Sequence, residues 1–147
     1  RFNIVVLPAP ADIATEMDIV KTRVAQLSAG LDLNAAQPDG DTVEKVVTIF
    51  RELRSGVTLD GKQKLKATSG VLSTAEAISL LANSMALAGS FGSGTITAED
   101  LAAALQGAVV KDEEKDKLSW NEYLENVMKK RGSAWLPLYH ACRELEN

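Results

Sequence analysis

His140 and Cys142 are the single histidine and single cysteine of this 147-residue chain, and they lie two positions apart. On a helix that spacing points them to different faces, so they make a poor metal pair. No third ligand lies nearby, and a structural role is expected for both. Gly92-Ser93-Gly94-Thr95-Ile96 has the glycine and the apolar residue, two apart, of the second half of a calcium loop. Aligning Gly94 with that loop's invariant glycine puts Gly89 and Phe91 where carboxylates must stand. The calcium reading fails, and a turn is expected there instead. No glycine-rich phosphate loop, Gly-x-Ser-x-Gly or His-Glu-x-x-His occurs in the sequence. Nothing can be assigned as nucleophile or base, so the segment is expected to catalyse nothing by itself.

Three hydroxyl–acid pairs at three-residue spacing place the helices instead: Ser73 with Glu76, Thr97 with Asp100, and Ser119 with Glu122. In such a capping box the hydroxyl accepts a backbone N–H while the acid reaches back to the cap residue. The pairs predict helix starts ahead of Ile78-Leu81-Met85-Ala88, of Leu101-Leu105, and of Trp120-Tyr123-Leu124-Val127-Met128. Upstream, Ile13, Met17, Val20, Val24 and Leu27 recur at three- and four-residue steps behind Asp12 as N-cap. Val43, Val46, Val47, Phe50 and Leu53 form a second stripe, stopped by Gly56. Leu31 to Asp41 reads as a loop. The tight-turn dipeptide Asp60-Gly61 allows a small hairpin near residues 57–66. The mixed-charge run Lys111–Lys117 reads as a solvated connection. A last helix over Ser133–Leu145 is expected to turn Trp135, Leu138, Tyr139 and Cys142 inward. With Ile4–Leu7 as a short strand, the expectation is a mainly α fold, a bundle of about six helices.

Composition narrows the class. A net charge of −4 argues against a nucleic-acid surface, which needs clustered excess Lys and Arg. The longest apolar runs, such as Ile4–Leu7, fall far short of the roughly 20 residues that span a bilayer. One cysteine excludes an internal disulfide framework and a cysteine-rich zinc site. A cytoplasmic location is expected, with no nucleic acid, membrane or metal as partner.

The start, Arg1-Phe2-Asn3-Ile4-Val5-Val6-Leu7-Pro8, followed by Glu16 and Ile19-Val20 in a helix, resembles the junction in MoxR-like AAA+ ATPases. There an Asp-Arg-Phe segment ends the nucleotide-binding core, a final strand follows, and the chain crosses into a helical lid. Gly70-Val71-Leu72-Ser73-Thr74-Ala75-Glu76-Ala77 resembles the lid's Gly-x-Ser-Pro-Arg-Ala segment. Ile96-Thr97-Ala98-Glu99-Asp100-Leu101 is similar to the Val-Thr-x-Glu-Asp-Val cap that follows. The match covers roughly residues 1–110.

The resemblance implies three parts: residues 1–10 as the last strand and linker of a core, 11–110 as the lid, and 111–147 as a helical extension packing on it. It also implies ATP and magnesium in a parent protein, neighbouring subunits of an AAA+ ring, and possible work with von Willebrand factor A domain proteins. Arg1 takes the position of an arginine finger, which stabilises charge on a transferring phosphate, or is a chain-end residue only. Ile19 and Val20 line the adenine pocket or belong to the lid core. Ser73, Thr74 and Glu76 stand where nucleotide phosphates meet a helix N-terminus, or serve as a plain cap. This chain has no arginine there, so Arg51 or Arg54 compensates or the contact is lacking. The competing class is a free-standing interaction domain, docking a partner helix on the Trp120–Met128 face. A bare first strand would invite self-association through residues 2–7.

Overall fold

The computed structural model describes residues 12–31, 37–66, 72–91 and 94–145. These fold into α1 (Ile13–Leu31), α2 (Gly40–Ser55), α3 (Thr74–Phe91), α4 (Ala98–Val109), α5 (Lys115–Asn126) and α6 (Leu136–Leu145), with a 3-10 turn at Met128–Lys130. The mainly α expectation holds. The proposed strand at Ile4–Leu7, and Arg1 with it, lies outside the described residues.

α2 follows its sequence pattern most closely. Val43, Val46, Val47, Ile49, Phe50 and Leu53 are all buried on one face. Its start lies within the segment read as a loop, because the Asp39 carboxylate accepts the Thr42 N–H at 2.7 Å. Gly56 ends it in the left-handed region, φ 76°, where a side chain is strained, and returns its N–H to Glu52 O at 2.9 Å. The bonds from Thr42 hold the Asp39 carboxyl below its usual 3.8. A depressed carboxyl contributes stability above the unfolded value and loses it as pH falls through the folded one. Asp39→Ala is therefore expected to cost about 1 kcal/mol at neutral pH and to narrow its gap from the parent below about pH 4. Urea unfolding followed by circular dichroism across pH 3–7 checks both.

The Asp60-Gly61 turn forms as expected. Thr58 N–H donates to Gln63 O at 3.0 Å and Leu65 N–H to Gly56 O at 2.8 Å, around Gly61 at φ 76°. Val57 and Lys64 make an isolated antiparallel bridge, and among the described residues no sheet is built on it.

The Thr97–Asp100 capping box is complete in both directions, at 3.2 and 3.1 Å. Ser73 Oγ accepts the Glu76 N–H at 3.2 Å, just ahead of α3. The third box is a correction. α5 begins at Lys115, and the Ser119 hydroxyl sits inside the helix, donating to Lys115 O at 3.2 Å. Within the charged run, Asp112 satisfies the helix start and Asp116 folds the preceding residues back onto it. Asp112 Oδ1 accepts from the N–H of Glu114 and Lys115, at 3.0 and 3.2 Å. Asp116 Oδ2 accepts from those of Lys111 and Asp112, at 2.9 and 2.8 Å. Asp112, Glu113 and Glu114 are solvated, but Asp116 is buried. The run is thus a helix start, not a simple connection.

α6 begins at Leu136 rather than Ser133, since residues 133–135 form a turn. Leu138, Tyr139 and Cys142 point inward, while Trp135 is half-buried and His140 is exposed. The pair two apart on the helix faces opposite ways, as the spacing required.

α1 packs on α2 and α3, α3 on α4, and α4 on α6, which also meets α5. One apolar core runs through the described residues from Val20 and Val24 of α1 to Cys142 of α6. Trp120, Tyr123, Leu124, Val127 and Met128 lie inside it, so the face proposed for a partner helix is interior. Leu27, expected inward, stays 41% exposed.

Candidate functional site

The start of α1 meets the end of α2 and the start of α3 at one buried carboxylate. Glu16 is fully buried. Its Oε1 accepts from Arg51 Nη1 at 2.7 Å and Arg54 Nη2 at 3.0 Å, and its Oε2 from the Thr74 hydroxyl at 3.1 Å. Arg54 also donates Nη1 to Leu72 O at 2.8 Å. Burying the Glu16 charge is tolerable because cations and a hydroxyl surround it. The result is a clamp that holds three helix ends in one geometry.

This clamp decides how several expected site residues are used. Arg51 and Arg54 are both directed at Glu16, so neither stands free as a phosphate contact at the head of α3. Thr74 spends its hydroxyl proton on Glu16. Ser73 is half-buried and caps α3. Glu76 is exposed in the first turn, where its negative charge complements the helix dipole and opposes an incoming anion. Val20 is fully buried in the core, whereas its neighbour Ile19 is 40% exposed. The structure therefore brings Ser73, Thr74 and Glu76 together and sends Ile19 and Val20 to different faces.

Two surface grooves flank α3. The one shared with α1 has a volume of about 330 Å³ and is lined by Arg23, Gln26, Leu27, Ala75, Ile78 and Ser79. The other, shared with α4, holds about 320 Å³ between residues such as Leu87, Ala104, Gly107 and Ala108. Among the described residues no group of His, Cys, Asp and Glu could hold a metal ion.

Three residues of these sites were not singled out from sequence for the roles they take: Glu16, named only within the resembling junction, Arg23, and a second buried carboxylate, Glu52. A signal existed for both carboxylates. Glu16 falls three residues after Ile13 and four before Val20, on the apolar face. Glu52 adjoins Leu53 and lies three after Ile49. Arg23 lies four residues from both Ile19 and Leu27, and neither of these apolar residues is buried.

Comparison with known proteins gives this geometry its context. Residues 14–147 match the YehL-like AAA+ ATPase C-terminal domain. The chain belongs to that family. The protein YehL of Escherichia coli (strain K12) is 27% identical to it over 146 residues. That alignment covers 99% of the chain and 40% of YehL, so the chain spans well under half of its relative's length. No solved structure gives a significant match. The family match extends through α5 and α6, the part for which the sequence offered no resemblance. The family match thus takes in Lys111 to Leu145. No described helix is long and apolar enough to cross a membrane.

Proposed function

We propose that this YehL-like domain is the helical lid of an AAA+ ATPase, MoxR-like in type, whose parent couples ATP binding and hydrolysis to remodelling or maturation of partner proteins. The observation that carries the reading is the family match over residues 14–147, in a chain that corresponds to 40% of its relative. The clamp at Glu16 supports it: a lid that transmits force needs its helices fixed to one another, and one buried charge ties three of them together.

The residues present fit one wall of a nucleotide site and no more. Ile19 and Leu27 offer half-exposed aliphatic surface on α1, and Arg23 stands between them over the α1/α3 groove. Ser73, Thr74 and Glu76 act here as cap and clamp, and Val20 as core. ATP bound with magnesium would supply the phosphoanhydride whose hydrolysis drives movement. This chain's residues would bind, orient and exclude water from one side. Arg1 would reach a neighbouring subunit's nucleotide as its finger in a ring. Partner proteins bearing von Willebrand factor A domains and a cytoplasmic location complete the proposal.

ATP turnover by the full-length protein tests it, with wild type and Arg1→Ala measured singly and mixed. Turnover by wild type, lost in Arg1→Ala with nucleotide binding retained, is expected. Mixing should depress turnover per wild-type subunit if the arginine acts on its neighbour. A full-length protein that neither binds nor hydrolyses ATP overturns the reading. The isolated chain should show no turnover in the same assay.

A further inference from the structure

The α1/α3 groove carries a charge that the described fold leaves uncompensated. Arg23 faces Ala75, Ile78 and Ser79 across it. Its Nη1 donates to the neutral Gln26 Oε1 at 3.2 Å. Among the described residues, no carboxylate lies within ion-pair distance of it. Arg51 and Arg54, on α2, are both paired with Glu16. The arginines of this end of the domain thus divide into two that clamp and one that is presented.

What is presented has a recognisable chemistry. A guanidinium matches phosphate oxygens two at a time, and holds its charge at every accessible pH. Four residues to either side along α1, Ile19 and Leu27 are 40% and 41% exposed, and Leu27 lines the groove with Arg23, so the cation has aliphatic surface beside it. A surface of this kind takes a ligand with an anionic end and an apolar body. The groove's volume, about 330 Å³, lies at the small end of ligand clefts. We propose that Arg23 contacts a phosphate of the nucleotide, with Ile19 and Leu27 flanking it, and that it does so in place of any arginine at the head of α3. The inference rests on the ATPase reading above and assigns the lid's share of binding to a residue of α1.

Equilibrium binding to the full-length protein tests it, using fluorescent ATP and ADP analogues and adenosine as competitor. Wild type, Arg23→Ala and Arg23→Lys are compared, and each is melted without nucleotide. Arg23→Ala should weaken ATP and ADP binding about tenfold or more, the loss of one charge-assisted contact. Adenosine affinity and the melting temperature should not move, and Arg23→Lys should fall between. Unchanged ATP affinity in Arg23→Ala overturns the proposal. So does an equal loss for adenosine, which would mean packing against the base. A lowered melting temperature or altered assembly with ATP affinity intact would place Arg23 against protein instead. If wild type binds no nucleotide, the ATPase reading itself falls; if wild type binds and Arg23→Ala binds equally, only the assignment of Arg23 does.

Discussion

Replacing Glu52 with alanine is expected to destabilise the fold by about 3–5 kcal/mol, the range for breaking a buried charge pair by removing one partner. Glu52 is fully buried on α2 and serves three partners, one nearby and two far along the chain. Its Oε1 accepts from the Tyr123 hydroxyl at 2.7 Å, and its Oε2 from the Leu59 N–H at 2.8 Å and from Arg131. Alanine would leave a buried phenol without its acceptor, an arginine that packs on the Trp135 ring without its counter-ion, and the hairpin without its anchor. Denaturant unfolding measures the loss, and a change below about 1 kcal/mol would contradict the pairing. The same site responds to pH. Burial, and then the Glu52 charge, push the Tyr123 phenol well above its ordinary 10.0. A raised folded value means stability is complete below the unfolded one and is lost as pH rises beyond it. Stability should therefore decline above about pH 10, and Tyr123→Phe should flatten that decline.

Glu16→Ala is the second large effect, expected at about 2–4 kcal/mol. It lies lower because Arg51 and Arg54 keep 17% and 25% of their side-chain surface exposed and can rehydrate in part. Thr74 loses its acceptor as well. The loss should be strongly coupled: in double-mutant cycles Glu16→Ala and Arg54→Ala together should cost much less than the sum of the two. Additive losses would mean that the clamp does not act as a unit. Glu16, in α1, and Glu52, in α2, each tie together separate segments, so the two variants also separate the clamp from the anchor. The first loosens the head of α3, the second the hairpin and the segment around Arg131.

Much of this fold was legible because the interactions that make it are local. The α2 stripe, the Gly56 stop, the Asp60-Gly61 turn and the Thr97–Asp100 box are settled within a few residues of chain, where periodicity and turn chemistry act. The error at Ser119 has the same origin. Asp112 sits upstream and reaches the free N–H groups first, so the hydroxyl that resembled a cap bonds back inside the helix. The site was far less legible. Glu16 pairs with residues 35, 38 and 58 positions away, and Glu52 with one 79 away. Such partners are chosen by how helices pack, which a one-dimensional pattern does not carry. Ile19 and Val20 show this: the resemblance implied one adenine pocket or the lid core for both, yet a step of about 100° around the helix put one in the core and the other at the surface. The resemblance ended near Lys111 for a related reason. α5 and α6 join the same core through side chains, Trp120 and Tyr123 foremost, that form no short motif.

Hydrogen–deuterium exchange on the full-length protein, with and without ATP, tests the central claim most directly. If this domain closes on nucleotide through its α1/α3 face, exchange should slow in Ile13–Leu31 and in the first turns of Thr74–Phe91, and stay unchanged in Lys115–Asn126. Bound nucleotide with no protection of α1 or α3, or protection confined to α5 and α6, would contradict it.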